Sequence, residues 1–202
     1  MWALIQAAGW PIWLLIFSSI VALALIIERS WMLRQATVAP RGLVDRVLEE
    51  YRNHGLTQEL VNKTAAHGPL GRVLASGLVN VRSPRAIMKE AIEESGRAVA
   101  HDLERFLTTL GTIAAMSPLM GLFGTVVGMI EIFGSSTPTS ANPGQLAHGI
   151  SVALYNTAYG LIVAIPSMAF YRHFRRRIDE LVLEMETQAI KLVEVANQER
   201  RQ

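Results

Sequence analysis

Residues 106–130, FLTTLGTIAAMSPLMGLFGTVVGMI, contain no Asp, Glu, Lys or Arg. At about 1.5 Å of rise per residue, a helix of that length crosses a bilayer core of about 30 Å. Two more stretches are equally bare of charge: Met1–Ile27, and the forty residues between Glu131 and Arg172. Half of the 202 residues are apolar, but they are gathered into these blocks rather than spread as one globular core would need. The pattern predicts an all-α membrane protein with three transmembrane helices, the last block holding a polar connection as well as a helix.

The second run has an unusual interior. Ser117, Gly121, Thr125 and Gly128 recur at intervals of four, four and three, which puts them on one helical face with Gly124 beside them. The third run repeats the device with Gly149, Ala153, Thr157, Gly160, Ala164 and Ser167. Small side chains let backbones approach closely in a membrane, where contact and hydrogen bonds must hold helices together because lipid is already apolar. The two faces are therefore expected to pack on each other or on copies of themselves. Pro118 removes a backbone donor within the span, a loss that neighbours or hydroxyls make good in membrane helices. The competing reading is that these residues only pack helices and line nothing. Glycines at 121, 124 and 128 make no dinucleotide fingerprint, and no Gly-Lys-Ser/Thr phosphate loop exists in the chain.

The net charge of +2 comes mostly from arginines, and their address sets an orientation. Arg29, Arg34 and Arg41 follow the first run, Arg97 and Arg105 precede the second, and Arg172, Arg175, Arg176 and Arg177 follow the third, whereas 132–148 has no Lys or Arg. By the positive-inside rule the middle segment and the tail are cytoplasmic, and the N-terminus and the 132–148 connection face outward. The RHFRRR cluster is thus a topology anchor rather than a nucleic-acid site, and its arginines are placed to meet membrane lipids.

These constraints divide the chain into an outward N-terminal segment and first span over 1–27, a cytoplasmic helical domain over 28–105, a second span over 106–131, an outward loop over 132–148, a third span over 149–171 and a cytoplasmic helix over 172–202. Trp2, Trp10 and Trp13 suit the outer aromatic belt, and the apolar run passes into Glu28-Arg29 without a cleavage pattern, so the first span is read as retained. Within 28–105, Leu43, Val44, Val47, Leu48 and Tyr51 follow helical spacing and Gly55 is a stop. Short helices from Thr57 to about Ala66 and from Leu70 to Val81 are separated by His67-Gly68-Pro69. Ser83 as N-cap and Pro84 in the first turn open a helix expected to run unbroken into the second span. Ile178, Leu181, Met185, Ala189 and Leu192 keep helical spacing past the third span, which predicts a cytoplasmic extension bundling with that helix.

Apart from Glu131 at the very end of the second, no Asp, Glu, Lys or Arg lies inside any of the three spans, although intramembrane ionisable groups are what proton relays are built from. The spans offer Ser117, Thr125, Ser151, Tyr155, Asn156, Thr157 and Tyr159; hydroxyls pass hydrogen bonds along but do not take up and release a proton near neutral pH. If protons cross here, a partner supplies the titrating group. Cysteine is absent and His54, His67, His101 and His173 are scattered without ligand spacing, so no metal, cofactor or enzymatic constellation is expected.

SPLMGLFGTVVGM, followed after a polar loop by GISVALYNTAYGLIVAIP, resembles the two signature spans of the MotA/TolQ/ExbB proton channel family, and the N-out, three-span layout is similar to its shorter ExbB/TolQ branch. Glycines 121, 124, 128 and 160, Pro118 and Pro166, and both threonines fall in place together. The resemblance implies a homopentamer around a central pore. In that pore would sit a single-span partner dimer of the ExbD or TolR kind, carrying an essential aspartate and driving a TonB-like or TolA-like protein from the inner membrane. It matches Thr125 and Thr157 to the family's pore threonines. Val152 departs from the Glu that many relatives carry, and Asn156, with Ser117 as a further polar group of the path, is the candidate to supply polarity instead. A TolQ-like envelope subunit and a passive scaffold are the alternatives.

Overall fold

The computed structural model describes residues 9–135 and 143–199; Trp2 and most of the outward N-terminal segment lie outside them. Among the described residues every regular element is helical: α1 Pro11–Met32, α2 Gln35–Val38, α3 Leu43–His54, α4 Gln58–Ala65, α5 Gly68–Val79, α6 Arg85–Glu104, α7 Leu107–Ser135 and α8 Pro143–Glu199. Three helical runs are long and apolar enough to cross a membrane, Pro11–Met32, Arg85–Gly134 and Gly149–Ala196. The chain divides into two compact units.

The first unit comprises Met1–Glu28 with Phe106–His173. Its part of α1 starts with Pro11 in the first helical position, where the missing donor costs little. Ile12, Leu15 and Ala22 are buried, while Trp13, Phe17 and Ile20 point outward. Trp10 meets Phe123 of α7 edge to face, ring centroids 5.9 Å apart. The helices α7 and α8 run antiparallel against each other through their glycine faces.

The second unit comprises Arg29–Arg105 with Phe174–Gln202. Its core is aliphatic: Val44 and Leu48 of α3, Leu60 of α4, Leu70 and Leu74 of α5, and Ile92 and Val99 of α6 are all buried. The spacing seen in the tail holds, since Ile178, Leu181, Met185, Ala189 and Leu192 are each almost fully buried. Gly77 lets α5 sit close to its neighbours, for a Cβ there would come within about 3 Å of Ile92 and Leu192. Thr57 caps α4 by accepting from the Leu60 N–H at 3.2 Å. Gly55 ends α3 at φ +71° and ψ −168°, a backbone conformation open in practice only to glycine.

Several boundaries differ from the sequence expectation. The helix expected to pass unbroken into the second span is interrupted at Arg105 and Phe106. There the carbonyl of Leu103 accepts from the buried Arg29 guanidinium at 3.0 Å, and the Arg105 N–H makes a tighter three-residue bond to Asp102. Pro84, not Ser83, is the N-cap of α6, its extended backbone (φ −52°, ψ 148°) offering its carbonyl to Met88 N–H. The helix after His67 begins at Gly68, with Pro69 in its first turn. The connection expected over 132–148 is largely helical. Here α7 continues to Ser135 and α8 already starts at Pro143, so only 136–142 lies outside the described residues. Pro143 explains the early start, since its fixed φ suits a first helical position. The α1 helix likewise continues past residue 27 to Met32, and α8 is one helix of 57 residues that passes through Pro166 without a break.

Candidate functional site

The glycines of the second and third spans mate with each other inside one chain. A Cβ built on Gly160 would lie 2.5 Å from the Ser117 carbonyl oxygen, and one on Gly121 would lie 2.8 Å from the Asn156 carbonyl oxygen and 2.9 Å from Thr157 Cα. One on Gly128 would meet Ala153 Cβ at 3.1 Å, and one on Gly149 would meet Ile132 at 2.7 Å. At the other end, Gly111 faces the Tyr171 ring. The partner numbers rise along one helix as they fall along the other, so α7 and α8 form a continuous antiparallel seam. Gly121 and Gly160 are there because backbone, not side chain, occupies the space their Cβ would take.

The seam brings together Ser117, Asn156 and Thr157. Ser117 is fully covered, and its hydroxyl donates to the Ile113 carbonyl at 2.7 Å, next to the Ala114 carbonyl that Pro118 cannot engage. Asn156 is 1 % exposed and lies across Gly124, whose Cβ would fall 2.8 Å from the Asn156 Cβ and Cγ atoms. Thr157 is partly exposed as a residue, yet its Oγ1 is covered and has no hydrogen-bond partner among the described residues. Thr125 stands apart: half-buried, it donates to the Leu122 carbonyl at 2.6 Å and borders a shallow open cleft with Val126, Met129, Ile130 and Phe133. Pro166 precedes Ser167, whose buried hydroxyl donates to the Val163 carbonyl at 2.7 Å.

The chemistry available is hydrogen bonding without titration. Ser117, Thr125 and Ser167 spend their protons on carbonyls of their own helices, leaving only acceptor lone pairs. Thr157 keeps both donor and acceptor capacity. Val152 is half-buried on α8. Among the described residues no three His, Asp or Glu side chains converge where a metal ion could be held. Sequence reasoning missed the way Asn156 fills the groove over Gly124, and it missed the burial of Arg29, which is 2 % exposed. The second was findable: Leu15, Ala22 and Arg29 are spaced by sevens, on one face of α1.

Comparison with known proteins gives a consistent result. A family model described as the MotA/TolQ/ExbB proton channel family matches residues 65–187. The ExbB-like 3 biopolymer transport protein of Synechocystis sp. is 35% identical over 160 residues, covering 78% of this chain and 76% of its own. The biopolymer transport protein exbB1 of Vibrio cholerae is 31% identical, covering 81% and 74%. The Tol-Pal system protein TolQ of Haemophilus influenzae is also 31% identical, covering 83% and 79%.

Proposed function

Because the chain belongs to the MotA/TolQ/ExbB proton channel family, we propose that it is the channel subunit of an inner-membrane motor that uses the proton motive force to drive TonB-dependent transport across the outer membrane. The observation that carries this reading is the Thr157 hydroxyl, buried at the edge of the α7–α8 seam with no partner among the described residues. A covered hydroxyl without a partner costs about 1–3 kcal/mol, so a residue serving the fold alone would be Val, which has the same shape. Threonine in a helix divides between two χ1 rotamers, one of which bonds a carbonyl three or four residues back. Thr157 can therefore hand its hydrogen bond between its own backbone and a group arriving from outside.

In this reading the outside group is a carboxylate on the single span of an ExbD-like or TolR-like partner dimer, enclosed by a homopentamer of this chain. Thr125 and Thr157 hold water or the partner's acid along the path. Asn156 fixes the local backbone by filling the groove over Gly124, and Ser117 closes the far side of the seam. A TonB-like protein receives the resulting motion. The N-terminus is periplasmic and the C-terminus cytoplasmic, from the placement of the arginines. A TolQ-like role is the second reading, favoured by the equal 31% identity to a TolQ and to an exbB1.

Thr157→Val tests the assignment. Partner-driven uptake falls to the level of a deletion, while the native mass of the detergent-extracted complex with its partner stays the same. Unchanged uptake removes Thr157 from the path and leaves the passive scaffold. Complementation of a strain lacking either system separates ExbB-like from TolQ-like function.

A further inference from the structure

The outward face of α1 has a defined length. Trp13, Phe17, Ile20, Ala24, Ile27 and Trp31 follow one another at intervals of four, three, four, three and four, and all are exposed. Trp13 is 54 % and Trp31 69 % exposed. They stand eighteen residues apart, five turns of helix, so they share one azimuth about 27 Å apart at 1.5 Å per residue. That spacing matches a bilayer's hydrocarbon thickness of about 30 Å, with an indole at each boundary where its apolar body and polar N–H are both satisfied. The two ends differ. Past Met32 the chain is pinned by buried Leu33, Val38 and Ala39, and between them Arg34 turns back so that its guanidinium carbon lies 5.9 Å from the centre of the Trp31 ring.

We propose that Trp31 and Arg34 form a binding site for the phosphate of an anionic phospholipid in the leaflet at the C-terminal end of α1. A guanidinium resting on an indole keeps its edge N–H groups free, and those are the groups that engage phosphate oxygens in a forked geometry. The cation–π contact holds the charge on the lipid-facing side of α1 instead of letting it extend into water. Among the described residues Arg34 makes no ion pair that would neutralise it. Glu28, one turn nearer the membrane centre, is the single carboxylate of α1 and is engaged in an interaction of its own. This inference requires only that α1 spans a bilayer, and so stands or falls separately from the channel reading.

The test uses the full chain with Trp2, Trp10 and Trp13 changed to Phe, leaving Trp31 as the single indole, in vesicles doped with phosphatidylglycerol or phosphatidylcholine bearing bromine near the head of the acyl chain. A basic residue at an anionic surface enriches acidic lipid about fivefold, so Trp31 should be quenched several-fold more strongly by brominated phosphatidylglycerol. Arg34→Gln abolishes the preference and Arg41→Gln leaves it. Equal quenching by the two lipids, or a preference that survives Arg34→Gln, overturns the site. A preference lost to Arg41→Gln as well reduces it to diffuse surface potential, and relief of quenching by inorganic phosphate makes it a soluble-anion site. If the triple Trp variant fails to insert, native mass spectrometry counts the phosphatidylglycerol retained by the wild-type and Arg34→Gln proteins: fewer lipids on the variant support the site, and equal numbers overturn it.

Discussion

Substituting alanine along the α7–α8 seam should give a graded loss of stability that follows what each Cβ would meet. At Gly160 the new carbon is 2.5 Å from the Ser117 carbonyl oxygen, about 0.9 Å short of the 3.4 Å at which ordinary contact begins. At Gly121 it is about 0.6 Å short of that contact with the Asn156 carbonyl. Both obstacles are backbone, so relief requires the two helices to part. A radial gap of about 0.5–1 Å forfeits a quarter to a half of each dispersion contact it opens, and the seam is continuous from Gly111 to Gly149. Gly160→Ala and Gly121→Ala should each cost about 3 kcal/mol, the upper end of overpacking penalties, or roughly a hundredfold in the folding equilibrium. Gly128→Ala meets a side-chain methyl 0.3 Å too close and should cost about 1 kcal/mol. Gly134 has nothing within 4 Å, so Gly134→Ala should be neutral or slightly stabilising through the helix preference of alanine, worth up to about 1 kcal/mol. Reversible unfolding in mixed detergent micelles, followed by helical circular dichroism, measures all four. A Gly134→Ala cost equal to that of Gly160→Ala, or a silent Gly160→Ala, refutes the seam.

Gly124→Ala collides with the Asn156 Cβ, Cγ and Nδ2 atoms rather than backbone, so Asn156→Gly, which removes all three, should recover most of its loss while recovering little of the Gly121→Ala loss; a double-mutant cycle reads the difference as a coupling of about 1–3 kcal/mol for the first pair alone. Arg29→Leu leaves the Leu103 carbonyl without its donor and should destabilise by about 1–3 kcal/mol, seen as faster amide exchange at the end of α6 relative to wild type.

The three spans were legible because charge is excluded from them and helical length is fixed by bilayer thickness. The glycine faces were legible as faces, since period alone places Gly121, Gly128, Gly149 and Gly160, but period does not state the partner. Only the three-dimensional pairing shows that α7 and α8 use them on each other within one chain. The ends of elements were harder. The Gly, Pro, Ser and Asn content of the connection puts the start of the third span near 149, yet Pro143 starts its helix six residues earlier, because capping chemistry and not polarity bounds a helix. The break at Arg105 and Phe106 depends on a donor 74 residues away in sequence, which no local window contains.

The seam also accounts for the odd position of Thr157. Backbones brought this close at Gly121 and Gly160 leave no Cβ-sized gap between the helices, so a polar group caught there gains most from a partner in protein. Ser117 and Ser167 find one by turning back on their own helices at 2.7 Å. Thr157 had the same option, since a threonine rotamer that bonds a preceding carbonyl is common in helices, yet its Oγ1 lies covered and unbonded among the described residues. Removing that hydroxyl should therefore leave the fold unharmed or stabilise Thr157→Val by about 1 kcal/mol in the same micelle titration that resolves the glycine series. Destabilisation by Thr157→Val would mean that the hydroxyl serves the seam. Gain of stability together with loss of driven uptake would separate what this residue does for the chain from what it does for a proton.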